Sequence, residues 1–160
     1  MGLCCFFRNI VCCAFIMLTS SSLLAAWVAN AEAGMLKNGE ITVSFEKDKS
    51  YLGGIVLKKL IQSPNEQFSL NSLADIEKDT GLVPTTLGSC FASWNNNLVS
   101  YVLPASLRRI EDRAFSMCKK VRNVPNLPPD LEEIGYEAFF ANESAKGSIV
   151  IPKNIRVIEK

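Results

Sequence analysis

Apolar and polar positions along the chain return in the same order every 24 residues. An aliphatic residue followed by proline occurs at Leu103-Pro104, Leu127-Pro128 and Ile151-Pro152. Three residues after each proline stand Leu107, Leu131 and Ile155, and three further on Ile110, Ile134 and Ile158. Ala114-Phe115 and Ala138-Phe139 recur at the same interval. A unit of this kind has too few apolar positions to close a core alone, so copies must stack to bury them. Stacking at the strand spacing of about 4.8 Å puts Leu103 over Leu127 over Ile151. The predicted repeat core is therefore Leu103, Leu107, Ile110, Phe115, Leu127, Leu131, Ile134, Phe139, Ile151, Ile155 and Ile158. Proline cannot donate to a ladder and belongs at a turn, Leu107–Ile110 reads as a short strand, and the Ala-Phe step reads as a tight or single helical turn.

Upstream, Phe91 lies 24 residues before Phe115, which predicts a worn earlier copy from about Val83-Pro84 and an aromatic column of Phe91, Phe115 and Phe139. The same spacing puts Trp94 at the place of Cys118 and matches Tyr136 with Asp112. It also stacks Arg108, Glu132 and Arg156 in one column, beside the buried Leu107, Leu131 and Ile155. Successive strand residues face opposite ways, so this charged column is expected on the solvent side.

The copies read Leu103-Pro-Ala-Ser-Leu-Arg-Arg-Ile-Glu-Asp-Arg-Ala-Phe-Ser-Met-Cys118 and Leu127-Pro-Pro-Asp-Leu-Glu-Glu-Ile-Gly-Tyr-Glu-Ala-Phe-Phe-Ala-Asn142, followed by the shorter Ile151-Pro-Lys-Asn-Ile-Arg-Val-Ile-Glu-Lys160. They resemble the BspA-type leucine-rich repeat, in which Pro, Ile, Gly, Ala-Phe and Cys follow in that order. Glu111 and Glu159 depart from the pattern where Gly135 keeps it, and Trp94 and Asn142 depart where Cys118 keeps it. The resemblance implies a β-rich leucine-rich-repeat solenoid over residues 83–160, with 24-residue repeats, short strands, short helical turns and an incomplete last repeat. It also implies a surface or secreted adhesin that binds host matrix or cell-surface proteins.

Residues 34–82 lack the 24-residue register. Glu40–Glu46 alternates as a strand does. Ile55–Ile61 fits either helical spacing or a buried strand. Ser69–Asp79 reads as a short helix with Asn71 or Ser72 as N-cap. The region is expected to be a divergent N-terminal cap over the first repeat, or else a small α+β region of its own.

Residues 1–33 hold 24 apolar residues, and no charge falls between Asn9 and Ala31. Ala29-Asn30-Ala31 and Ala31-Glu32-Ala33 offer cleavage after Ala31 or Ala33, so the segment reads as a signal peptide and the mature chain as starting at Glu32 or Gly34. An uncleaved anchor is the alternative, and the only expected link to a membrane. Cys4, Cys5, Cys12 and Cys13 fall in this leader, leaving Cys90 and Cys118, too few for a disulfide framework and without a C-x-x-C pair.

Charge and composition narrow the function classes. Seventeen Lys and Arg against 16 Asp and Glu give +1, and the basic pairs Lys58-Lys59 and Lys119-Lys120 are isolated, so no nucleic acid is expected. The absence of histidine removes His-based triads and the commonest metal ligand. With no phosphate-cradling glycine motif, the chain is expected to be no enzyme, with no cofactor, metal or small-molecule substrate. Asp112, Glu132, Glu133 and Glu137 fall at polar phases of the repeat, as solvated surface does. Asn142-Glu143-Ser144 is a glycosylation sequon. Trp94 and Tyr136 are the candidate binding surface, because Trp and Tyr dominate interface hot spots. The expectation is an exported binding protein, with a protein ligand. The alternative is a structural spacer or a fragment of a larger repeat protein.

Overall fold

The structure, a computed structural model, describes residues 26–159. The four leader cysteines lie outside that range. One eight-stranded sheet runs through the described chain. It starts with antiparallel neighbours, β1 (Val28–Asn30), β2 (Met35–Asn38), β3 (Ile41–Lys47) and β4 (Gly54–Gln62). The alternation in β3 buries Val43, as its pattern requires. The ambiguous Ile55–Ile61 stretch is strand, with Ile55 and Leu57 buried. Ile55 and Leu57 face the core at alternate positions, and the alternation breaks at Lys58, which the pairing with β3 skips, so that Lys58 and Lys59 both reach solvent.

From β4 onward the pairing is parallel. A crossover carries β5 (Phe68–Leu70), a 3-10 turn (Asn71–Asp75) and α1 (Ile76–Thr80) before the chain rejoins the sheet as β6 (Val83–Leu87). The helix expected over Ser69–Asp79 is thus split and short. Neither Asn71 nor Ser72 caps it; the turn starts after Leu70 without a side-chain cap, and Asn71 Oδ1 accepts from Ser100 Oγ. Gly81 closes α1 at φ +71, a left-handed conformation that glycine adopts without Cβ strain. A second, two-stranded sheet pairs β5 with β7 (Leu98–Tyr101). It is prolonged by Arg122 N–H to Val99 O and by the Asn123–Lys146 bridge.

The repeats supply the other three strands of the main sheet, β8 (Arg109–Ile110), β9 (Glu133–Ile134) and β10 (Val157–Ile158). Arg109 pairs with Glu133 and Glu133 with Val157, two steps of 24. The proline turn is the same in each copy: Leu107, Leu131 and Ile155 donate their N–H to the carbonyls of Pro104, Pro128 and Pro152. In two copies the polar residue ahead of the aliphatic bonds the rung before it. Ser106 Oγ bonds Pro84 O, and Asn154 Nδ2 bonds Pro129 O.

The first rung departs from the expected spacing. Leu87 pairs with Ile110, a step of 23. At the following turn Ala92 N–H bonds Ala114 O, just as Phe115 N–H bonds Ala138 O. Ala92 therefore corresponds to Phe115, and Phe91 to Ala114. Backbone dihedrals give the same register: φ is positive at Cys90, Arg113 and Glu137, and again at Trp94, Met117 and Ala141. Left-handed conformations in residues with a Cβ cost about 1–2 kcal/mol each. Here the hydrogen bonds between turns hold them in place. The expectation that Trp94 takes the cysteine place is corrected by one residue; it corresponds to Met117, and Asn95 stands where Cys118 does.

The slip also changes the aromatic column. Tyr101 stacks on Phe115 with centroids 4.0 Å apart, Phe115 stacks on Phe139 at 6.2 Å, and Phe91 meets Phe115 edge-on at 5.7 Å. The small Ala92 leaves room in the first rung for the rings of Tyr101 and Phe91. Of the expected core, Leu103, Leu107, Ile110, Phe115, Leu131 and Ile134 are buried, and Leu127, Phe139 and Ile155 pack against them half-buried. Ile151 and Ile158 are corrections, at 48% and 51% exposed. Both sit on the last described rung, where no later copy among the described residues covers them.

The expected leader and the folded body overlap. Trp27 is 2% exposed, and Val28–Asn30 pair with β2. The indole N–H bonds Ser72 O at 2.7 Å, and the Trp27 backbone N–H bonds Asp79 Oδ2 at 3.0 Å. Cleavage after Ala31 or Ala33 would remove all of these contacts.

Candidate binding face

On the solvent side of the repeat strands, residues 24 apart carry opposite charges. Glu132 lies between Arg108 and Arg156, 3.5 Å from each. Arg109 approaches Glu133 to 2.7 Å, Arg113 approaches Glu137 to 2.8 Å, and Lys119 approaches Glu143 to 3.5 Å. The hydrogen bond from Arg113 holds the Glu137 carboxyl below its ordinary range and raises the guanidinium above its own. Exposed pairs each contribute about 0.2–1 kcal/mol, so the ladder sets register more than it adds stability.

The same pairing bears on catalysis. General acid work needs a desolvated carboxyl beside an ionised one. Glu132, Glu133 and Glu137 instead face cations, and Asp112 Oδ1 accepts the Tyr136 N–H at 2.9 Å. Among the described residues, no group of three or more His, Cys, Asp or Glu is gathered so as to hold a metal ion.

Gly135 makes the Asp112 contact geometrically possible. A Cβ there would lie 2.5 Å from Asp112 Oδ1 and 2.7 Å from Asp112 N. Glu111, one rung earlier, turns its carboxylate onto the N–H and hydroxyl of Ser89. With side chains at Glu111 and Glu159 and none at Gly135, a shallow hollow of about 320 Å³ opens over Gly135, edged by Arg109 and Glu133.

Tyr136 follows Gly135 directly, whereas Trp94 sits at the later turn position shared with Met117 and Ala141. Trp94 is 67% exposed on the first rung, and Tyr136 is 38% exposed on the third, with the Arg113 guanidinium 5.3 Å from its ring centre. Two rung spacings separate them along the stack, about 10 Å. Phe140, which was not among the expected binding residues, adds a third exposed ring, at 55%. Its signal was the Phe139-Phe140 pair: the repeat places one ring in the core, which leaves the neighbour outside.

Cys118 is buried. Its thiol donates to Ala92 O at 3.2 Å, and burial pushes its pKa up to about 11, so it packs as an inert small side chain. Cys90 is exposed and unbonded to Cys118. The sequon asparagine, Asn142, is half-buried and accepts the Cys118 N–H through Oδ1, which ties its side chain into the rung.

Residues 85–160 match the family model described as BspA type leucine rich repeat region (6 copies). This part of the chain belongs to the BspA-type leucine-rich repeat family. No curated protein and no solved structure matches the chain. In the BspA-type region, the family's Pro, Ile, Ala and Phe positions account for the proline turns, the buried strand residues and the stacked rings. The residues between them form the charged ladder and carry the exposed aromatics. The family suggests a repeat protein-interaction module.

Proposed function

We propose that the chain is an exported adhesin, secreted or held at the cell surface, and that it binds a host matrix or cell-surface protein without catalysing a reaction. The observation that carries this reading is the BspA-type repeat region over residues 85–160. Its rungs stack as a solenoid, and residues 34–82 act as the divergent cap, a reading supported by their strands joining the sheet that the repeats continue. A stacked array presents binding residues on fixed backbone, which lowers the ordering cost of association. Trp94, Tyr136 and Phe140 serve as the aromatic anchors, and the ion-pair ladder supplies polar surface, with Arg113 against the Tyr136 ring. Nucleic acid, small-molecule substrates and cofactors have no part in this function.

The test is binding of the purified chain to a panel of immobilised extracellular-matrix proteins. Saturable binding to at least one is expected, weakened at least about tenfold by combined Trp94→Ala and Tyr136→Ala at unchanged thermal stability. Binding to none, or binding indifferent to both substitutions, would overturn it.

A further inference from the structure

The overlap between the apolar leader and the folded body places the processing site. We infer that the leader is removed by hydrolysis of the Ala26–Trp27 peptide bond, and that the new Trp27 ammonium forms an ion pair with Asp79. The inference rests on the export reading. Residues discarded after export have no part in the mature core, yet Trp27 is almost wholly buried and bonded to residues 45 and 52 positions onward. Val28–Asn30 is a paired strand. The cut therefore falls no later than the Ala26–Trp27 bond. Directly before it stand Leu24-Ala25-Ala26, an uncharged end to the apolar run, with alanine at the residue preceding the cut and Leu24 where an A-x-A site has its first alanine. Ala26 is itself exposed.

The chemistry at the cut matches what lies opposite it. The export machinery's signal peptidase adds water across the amide, leaving a carboxylate on Ala26 and an ammonium on Trp27. That nitrogen already lies 3.0 Å from Asp79 Oδ2 as an amide donor. As an ammonium it keeps the same hydrogen bond and gains a positive charge facing the carboxylate. A charge-assisted bond is stronger than the neutral one it replaces. Hydrolysis at this position would thus tighten the join between β1 and α1, whereas hydrolysis after Ala31 or Ala33 would destroy it.

Two measurements test this. Intact mass and N-terminal sequencing of exported protein should show a chain starting at Trp27. A start at Glu32, at Gly34 or at any other internal residue would overturn the site while leaving export standing. Protein recovered only in cells with Met1 attached would overturn both. In the second measurement, a folded chain starting at Trp27 with a free amine should unfold at a higher denaturant midpoint than its N-acetylated form. That difference should vanish with Asp79→Asn. Equal midpoints with Asp79 present would overturn the ion pair.

Discussion

Parallel pairing is secured by opposite means where β4 meets β6 and where β8 meets β9. At the first seam unlike segments meet. A register shift falls between Ile55 and Val56, and the turn after β3 folds over so that Asp48 accepts from Thr85 Oγ1 at 2.8 Å and Thr86 Oγ1 at 2.6 Å. Both threonines are buried, and the same carboxylate accepts the N–H groups of Ser50 and Tyr51. At the second seam, near-copies meet without a shift, and opposite charges face each other across the step. A joint between different sequences needs one specific clamp. A joint between copies takes its register from every position at once, so no single surface pair is decisive.

That contrast breaks first in the core. Phe115→Ala should cost about 3–5 kcal/mol, because the ring lies between Tyr101 and Phe139 and leaves a cavity that neither can fill. The half-buried Phe139 should cost about half as much on truncation, and urea unfolding midpoints of the two variants measure the difference. Next comes the pair Ile134→Ala and Ile158→Ala. The buried Ile134 should lose about 2–5 kcal/mol, while Ile158 should stay within about 1 kcal/mol of the parent by the same measurement.

At the unlike seam, Asp48→Ala should cost about 1–3 kcal/mol by leaving the Thr86 hydroxyl buried without an acceptor. Burial acts to raise the Asp48 pKa, but hydrogen bonds from Thr86, Thr85, Ser50 and Tyr51 outweigh it and hold the carboxyl below its ordinary value. A depressed folded pKa stabilises above the unfolded value and loses that stability as pH falls through the folded one. The gap between parent and Asp48→Asn should therefore narrow below about pH 4, the ordinary aspartate range, as followed by thermal melts. The smallest effect is expected at the seam between copies. Glu132→Arg puts three cations in line and exchanges two pairs of about 0.2–1 kcal/mol each for repulsion. It should destabilise more at low salt than at high salt; an equal effect at both would mean that the column does not act electrostatically.

The stretch from Leu103 to Ile158 was legible because every stacked position appears two or three times, and the charge column of Arg108, Glu132 and Arg156 follows from strand parity alone. Legibility fails where only one copy exists. A shift of one residue around Phe91-Ala92 is invisible in composition, since both orders bury an aromatic ring. It moved Trp94 from the cysteine place to that of Met117. Tyr101 could not be found by periodicity, because it fills a space that Ala92 vacates. Ile151 and Ile158 carry the same pattern as buried residues, but no further copy among the described residues covers them. In the leader, hydropathy is as compatible with export as with a core, and only the partners Ser72 and Asp79 show that Trp27 belongs to the body.

The left-handed turn residues have a consequence for variation among rungs. One position is occupied in turn by Cys90, Arg113 and Glu137, and another by Trp94, Met117 and Ala141, yet the backbone bends alike at each. The bend is imposed by amide-to-carbonyl bonds from rung to rung, which make no demand on side-chain identity. Most of these side chains point away from the close-packed interior, so an exchange there alters what the molecule displays and leaves the frame intact. The turns thus behave as a blank register in which new surface chemistry can be written one rung at a time, and Trp94 is already one such character.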